Sequence, residues 1–154
     1  MSSIVSATTT SGIAITGDNS GVLELATNGN TTALSIDTSQ RVSFSGSYKE
    51  AVVTIGTVTS SNTLSLASGT VQTATLTAST ACTFTMPSAV AGQSFVLLLK
   101  QAASTGNGTA TFTGVKWGTA GAPTITATAG KMDILSFISD GTNWYGSIAQ
   151  GYTP

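Results

Sequence analysis

The sequence predicts an all-β fold: an antiparallel, jelly-roll-like β-sandwich with an N-terminal arm of strands and hairpins. Three observations predict it. Apolar residues recur at period two, and no helical periodicity stands out. Clusters of Gly, Asn, Asp and Ser break that alternation about every ten residues, the spacing of short strands joined by tight turns. About a third of the 154 residues are Ser or Thr, while five are Lys or Arg, six are Asp or Glu and none is His.

The strands follow in order. Residues 12–16 alternate around Ile13 and Ile15, and 17–21 supply a turn. Val22, Leu23 and Leu25 form the next strand, with Glu24 on its other face. Asn28-Gly29 turns the chain, because both residues tolerate positive φ. Leu34 and Ile36 alternate with Ser35 and Asp37, and Val42 and Phe44 flank Ser43. Ser45-Gly46-Ser47 reads as a linker, which divides the chain into an arm over 1–45 and a sandwich over 46–154.

In the second part, strands are expected at Val52, Val53 and Ile55, at Leu64 and Leu66, and over 71–77. Cys82, Phe84 and Met86 face one way and Thr83 and Thr85 the other, until Pro87 removes a ladder donor. Phe95, Val96, Leu97, Leu98 and Leu99 are five apolar residues in succession. A strand apolar on both faces is covered on both, so these residues are the candidate subunit interface. Gly106-Asn107-Gly108 reads as a hairpin tip, and 109–113 and 125–128 as further strands. The last hairpin, 132–139 and 142–149, flanks Asp140-Gly141, a two-residue type I′ signal.

Composition also bounds function. Without His, Ser-His-Asp and Cys-His nucleophile arrangements cannot be built. Six carboxylates leave few pairs for glycosidase chemistry; Glu24 and Asp37 could approach across neighbouring strands but read as two solvated strand-face charges. The chain therefore reads as non-enzymatic. Cys82 alone can form no intramolecular disulfide and no zinc site, and no cofactor is expected. Asp18 and Asn19 could offer oxygens to calcium but read as a turn. A net charge of −1 with scattered Lys and Arg gives no footprint for nucleic acid. No apolar run is long enough for a membrane helix, and the N-terminus lacks a signal-peptide pattern. Trp117, Asn143, Trp144 and Tyr145 either stack in the core and at an interface or line a surface that contacts glycans.

Two stretches resemble modules of known proteins. Residues 28–42, NGNTTALSIDTSQRV, are similar to a module common in tail-fibre and other structural proteins of tailed bacteriophages. Residues 73–77 (TATLT), 82–87 (CTFTMP) and 91–95 (AGQSF) resemble a second phage structural module, which commonly closes with a hairpin like 139–146 (SDGTNWYG). The resemblance implies a homotrimer in the virion, without catalysis. At this length, with neither tail attachment nor shaft, the chain looks more like a capsid decoration, or cement, protein than a tail fibre. Such a protein would be made in the host cytoplasm and sit on the capsid exterior against the major capsid protein or another virion protein, the arm being the expected anchor. A small tail-fibre or receptor-binding tip and a carbohydrate-binding module are the alternatives.

Overall fold

The computed structural model describes residues 22–27 and 31–154, and every regular element among them is a β-strand. The strand expected over 12–16, the turn at 17–21 with Asp18 and Asn19, and the Asn28-Gly29 turn lie outside the described residues. The chain divides into two compact units, Met1–Lys49 and Glu50–Pro154. The division falls after the Ser45-Gly46-Ser47 linker rather than within it. Two contacts hold this stretch to the first unit: Ser45 N–H donates to Ala33, and the Tyr48 ring lies 5.4 Å from that of Phe44.

In the first unit, β1 (Leu23–Thr27), β2 (Thr31–Ile36) and β3 (Val42–Phe44) form an antiparallel meander. Its β2–β3 turn is closed by Asp37, whose carboxylate accepts the N–H groups of Ser39 and Arg41 at 2.9 and 3.0 Å. The sheet covers little of its apolar surface: Leu25, Val42 and Phe44 are all just over half exposed.

The second unit holds β4 (Val52–Val58), β5 (Ser61–Thr63), β6 (Val71–Leu76), β7 (Ala81–Thr85), β8 (Ser94–Lys100), β9 (Thr109–Thr113), β10 (Val115–Lys116), β11 (Met132–Ser139) and β12 (Trp144–Tyr152). They form a six-stranded sheet, β10-β12-β11-β8-β6-β4, and a three-stranded sheet, β5-β7-β9. The chain crosses between the sheets at every step from β4 to β9, so β4, β6 and β8 are parallel neighbours, as are β5, β7 and β9. This is the connectivity of stacked β-solenoid rungs, and it corrects the antiparallel jelly roll. The corners decide it. Thr77 N–H donates to Val58, Thr83 N–H to Ser60 and Thr109 N–H to Thr80, so each corner bonds to the next corner instead of folding back as a hairpin. Antiparallel pairing in this unit is confined to β8-β11-β12.

Between the sheets lies the core. Inward positions alternate along each strand: Ala74 and Leu76 on β6, Phe95, Leu97 and Leu99 on β8, Leu135 and Phe137 on β11, Cys82 and Phe84 on β7. Phe84 stacks on Phe112 at 5.2 Å, and Phe112 reaches Phe137 of the facing sheet at 5.7 Å. Each fully buried Leu or Phe contributes about 2 kcal/mol of transfer free energy.

Three expected elements differ. Leu64 and Leu66 follow β5 rather than lying in a strand, and Leu64 is buried there. Gly106-Asn107-Gly108 is a crossing between sheets rather than a hairpin tip. Its path is fixed by Gln101, whose side chain accepts the Gly108 N–H at 3.0 Å and donates to the carbonyls of Gly108 and Thr126 at 2.8 Å each. Gly106 has φ +61, and a Cβ there would meet the Ala127 carbonyl oxygen at 2.4 Å, so no side chain fits. Residues 125–128 form no strand because their backbone bonds go to scattered partners rather than to a neighbouring strand. Thr126 donates to the Asp133 carboxylate and accepts from the Gln101 amide, while the Ala127 and Thr128 carbonyls accept the N–H groups of Asn107 and Lys131.

The β11–β12 hairpin forms, but Ser139 pairs with Trp144, leaving a four-residue loop in place of the two-residue type I′ turn. Asp140 draws the Thr142 and Asn143 N–H groups to its carboxylate at 2.8 and 2.7 Å and so withholds them from the ladder.

Candidate functional site

The two sheets of the second unit present outer faces of opposite character. On the three-stranded sheet the outward positions are hydroxyls in register: Ser61, Thr83 and Thr111 form one row, Thr63, Thr85 and Thr113 the next. The Thr83 and Thr111 hydroxyls hydrogen bond at 3.2 Å. Such a face is satisfied by water.

On the six-stranded sheet the same alternation turns aliphatic residues outward. Val52, Val71 and Val96 share one row with Ser136, and Leu98 pairs with Thr73 and Ile134 in the next. Val52 is 58% and Ile138 57% exposed. A depression of about 440 Å³ opens on this face, lined by Glu50, Ser94, Val96, Ile138, Tyr145 and Ser147 among others.

The five-residue candidate interface is therefore split by the pleat. Phe95, Leu97 and Leu99 are core residues, 3% exposed or less; Val96 and Leu98 are half-buried and face outward. Sequence reasoning missed the residues that complete the outer face, Val52, Val71, Ile134 and Ile138. Their alternation is legible, but which strands lie side by side is not.

The four aromatic and amide candidates do not form one site. Trp144 is not a surface residue: it is 2% exposed, its ring meets Phe95 edge-on at 5.3 Å, and its Nε1–H donates to the Pro87 carbonyl at 2.8 Å. Trp117 packs inward on the neighbouring strand position. Gly146 makes this possible, since a Cβ there would stand 2.5 Å from the Trp117 ring. Trp117 also lines a depression with residues of the 118–124 loop and Gln150, whose Nε2 donates to the Thr124 carbonyl at 2.6 Å. Tyr145 points outward, on the opposite face of the sheet from Trp117. Asn143 sits in the β11–β12 loop.

Four of the described carboxylates, Asp37, Glu50, Asp133 and Asp140, each have hydrogen-bond partners of their own. Asp37 is held below the usual carboxylate range by the Arg41 N–H, then by the Arg41 guanidinium 2.7 Å away and the Ser39 N–H. Glu24 lies opposite Ser35 on the neighbouring strand. Asp140 is lowered to about 2 by the N–H groups of Asn143 and Thr142 and by the Tyr145 hydroxyl, which donates to it at 2.8 Å. That bond raises the Tyr145 hydroxyl in turn. Glu50 accepts a hydrogen bond from the Thr70 hydroxyl.

Asp133 is 1% exposed, with Thr126 N–H on one oxygen at 2.7 Å and Gly151 N–H on the other at 2.9 Å. Burial pushes the Cys82 thiol up, away from the reactive thiolate. Among the described residues no three Cys, Asp or Glu side chains gather as a metal site would require.

No protein-family model, curated protein or solved structure matches the chain.

Proposed function

We propose that this chain is a non-enzymatic structural protein of a tailed-phage virion, a homotrimeric decoration protein that binds the capsid exterior and stabilises the shell. The observation that carries this reading is the aliphatic outer face of the six-stranded sheet, set on a chain with so few charges. An aliphatic sheet face is suited to protein contact rather than to water. The half-exposed Leu25, Val42 and Phe44 of the first unit give the arm apolar surface of its own to offer a partner. The sequence resemblance to phage structural modules supplies the class of assembly.

A tail-fibre tip is the second reading, favoured by one feature. Among the described residues β4 and β5 each pair with a strand on one side only, which suits the stacking of a further parallel rung as in a shaft.

Binding to particles tests the proposal. Purified protein added to particles that lack it binds saturably at many sites per shell. With contacts that are apolar and backbone-based, affinity falls by less than about threefold over a tenfold rise in salt. Protein lacking residues 1–45 does not bind. Attachment confined to the tail supports the fibre reading; binding that collapses with salt, or that requires only a glycan, contradicts the proposal.

A further inference from the structure

One row of the six-stranded sheet carries opposite charges at its two edges. Lys116 on β10 pairs with Tyr145 on β12, Tyr145 with Ile138 on β11, and Ile138 with Ser94 on β8. Carrying the Val52–Val71–Val96 register back by two residues continues the row through Gly69 to Glu50, just before β4. All these positions have outward parity, and Glu50 lines the same depression as Ser94, Ile138 and Tyr145.

Glu50 and Lys116 are thus five strand spacings apart, about 24 Å, and cannot meet within one copy. Asp140, in the loop beside Tyr145, is taken up by Thr142, Asn143 and the Tyr145 hydroxyl. Among the described residues Arg41–Asp37 is the only ion pair. Between the two edge charges this row carries Tyr145, Ile138, Ser94 and Gly69 and no further charge. The rows beyond it mix aliphatic residues with the hydroxyls of Thr73 and Ser136, and Lys100 stands outward at the far end of β8.

We propose that three copies of the chain close their six-stranded sheets around an axis along the strands, outer faces inward, setting Glu50 of each copy against Lys116 of the next. Rotation about such an axis keeps every row at its own height and brings the β4 edge of one sheet to the β10 edge of its neighbour. The acidic and basic ends of the row then meet, and Val52, Val71, Val96, Leu98, Ile134 and Ile138 are covered by their counterparts. A head-to-tail ring of this kind closes without leaving an unmatched edge. The arrangement rests on the homotrimer proposed above and names the surface that makes it.

Sedimentation velocity of the full chain at micromolar concentration tests it. The unaltered protein sediments as a trimer. Glu50→Lys and Lys116→Glu each weaken association about tenfold or more, and the double swap restores it to within about threefold. Leu98→Asp gives a folded monomer. Circular dichroism verifies folding, and Lys116→Glu, at an exposed position, carries the comparison with Glu50→Gln if Glu50→Lys does not fold. A trimer indifferent to these changes, or a double swap no better than either single one, overturns the arrangement while leaving a trimer through some other surface. A monomeric unaltered protein overturns both.

Discussion

Phe84→Ala is expected to destabilise the second unit by about 4 kcal/mol, a large part of the 5–15 kcal/mol that holds a typical domain folded. Phe84 is fully buried, stacks on Phe112, and is one of the few large side chains that the three-stranded sheet sends into the core. Truncation removes its transfer free energy and leaves a cavity that stacked rungs cannot close, because each strand is pinned by parallel partners. Urea unfolding with an unchanged slope and a lowered midpoint reads the loss directly. A change below about 1 kcal/mol would mean that the two sheets do not share this core.

Asp133→Ala is the second large expected effect, and it comes from the two backbone groups that Asp133 holds. The register slips between Met132 and Ile134, where β12 carries an extra residue and Gly151 adopts φ +79. This glycine bulge turns its N–H out of the ladder, and Asp133 accepts it. The other Asp133 oxygen accepts from Thr126 and ties the 125–128 loop to the same point. Removing the carboxylate leaves two N–H groups without partners, at roughly 1–3 kcal/mol each. Asp133→Asn keeps one acceptor oxygen but sets an amide N–H₂ against the other donor, so its loss falls between those of Ala and the unaltered residue. Equal urea midpoints for all three would show that water satisfies these groups.

Much of the strand content was legible because a half-buried strand writes its pleat into the sequence. Cys82 and Phe84 alternate with Thr83 and Thr85, and β11 and β12 flank Asp140-Gly141. What alternation does not encode is the neighbour. Period two is the same for parallel and antiparallel strands, so the rung connectivity was hidden, and with it the outer aliphatic face. A signal did exist: Ser61-x-Thr63, Thr83-x-Thr85 and Thr111-x-Thr113 recur once per turn of the stack. The residues Gln101 and Asp133 were opaque for another reason. Each is one polar side chain replacing several backbone ladder bonds, and only the path of the loops shows which backbone groups need a partner.

The proposed role as an assembling virion component is tested most directly by a reconstruction of phage particles from the source of this chain. The expected result is trimers repeated over the capsid exterior, each with its six-stranded sheets turned toward the local three-fold axis. Density for the chain only at the tail, or single copies with that sheet facing solvent, would contradict it.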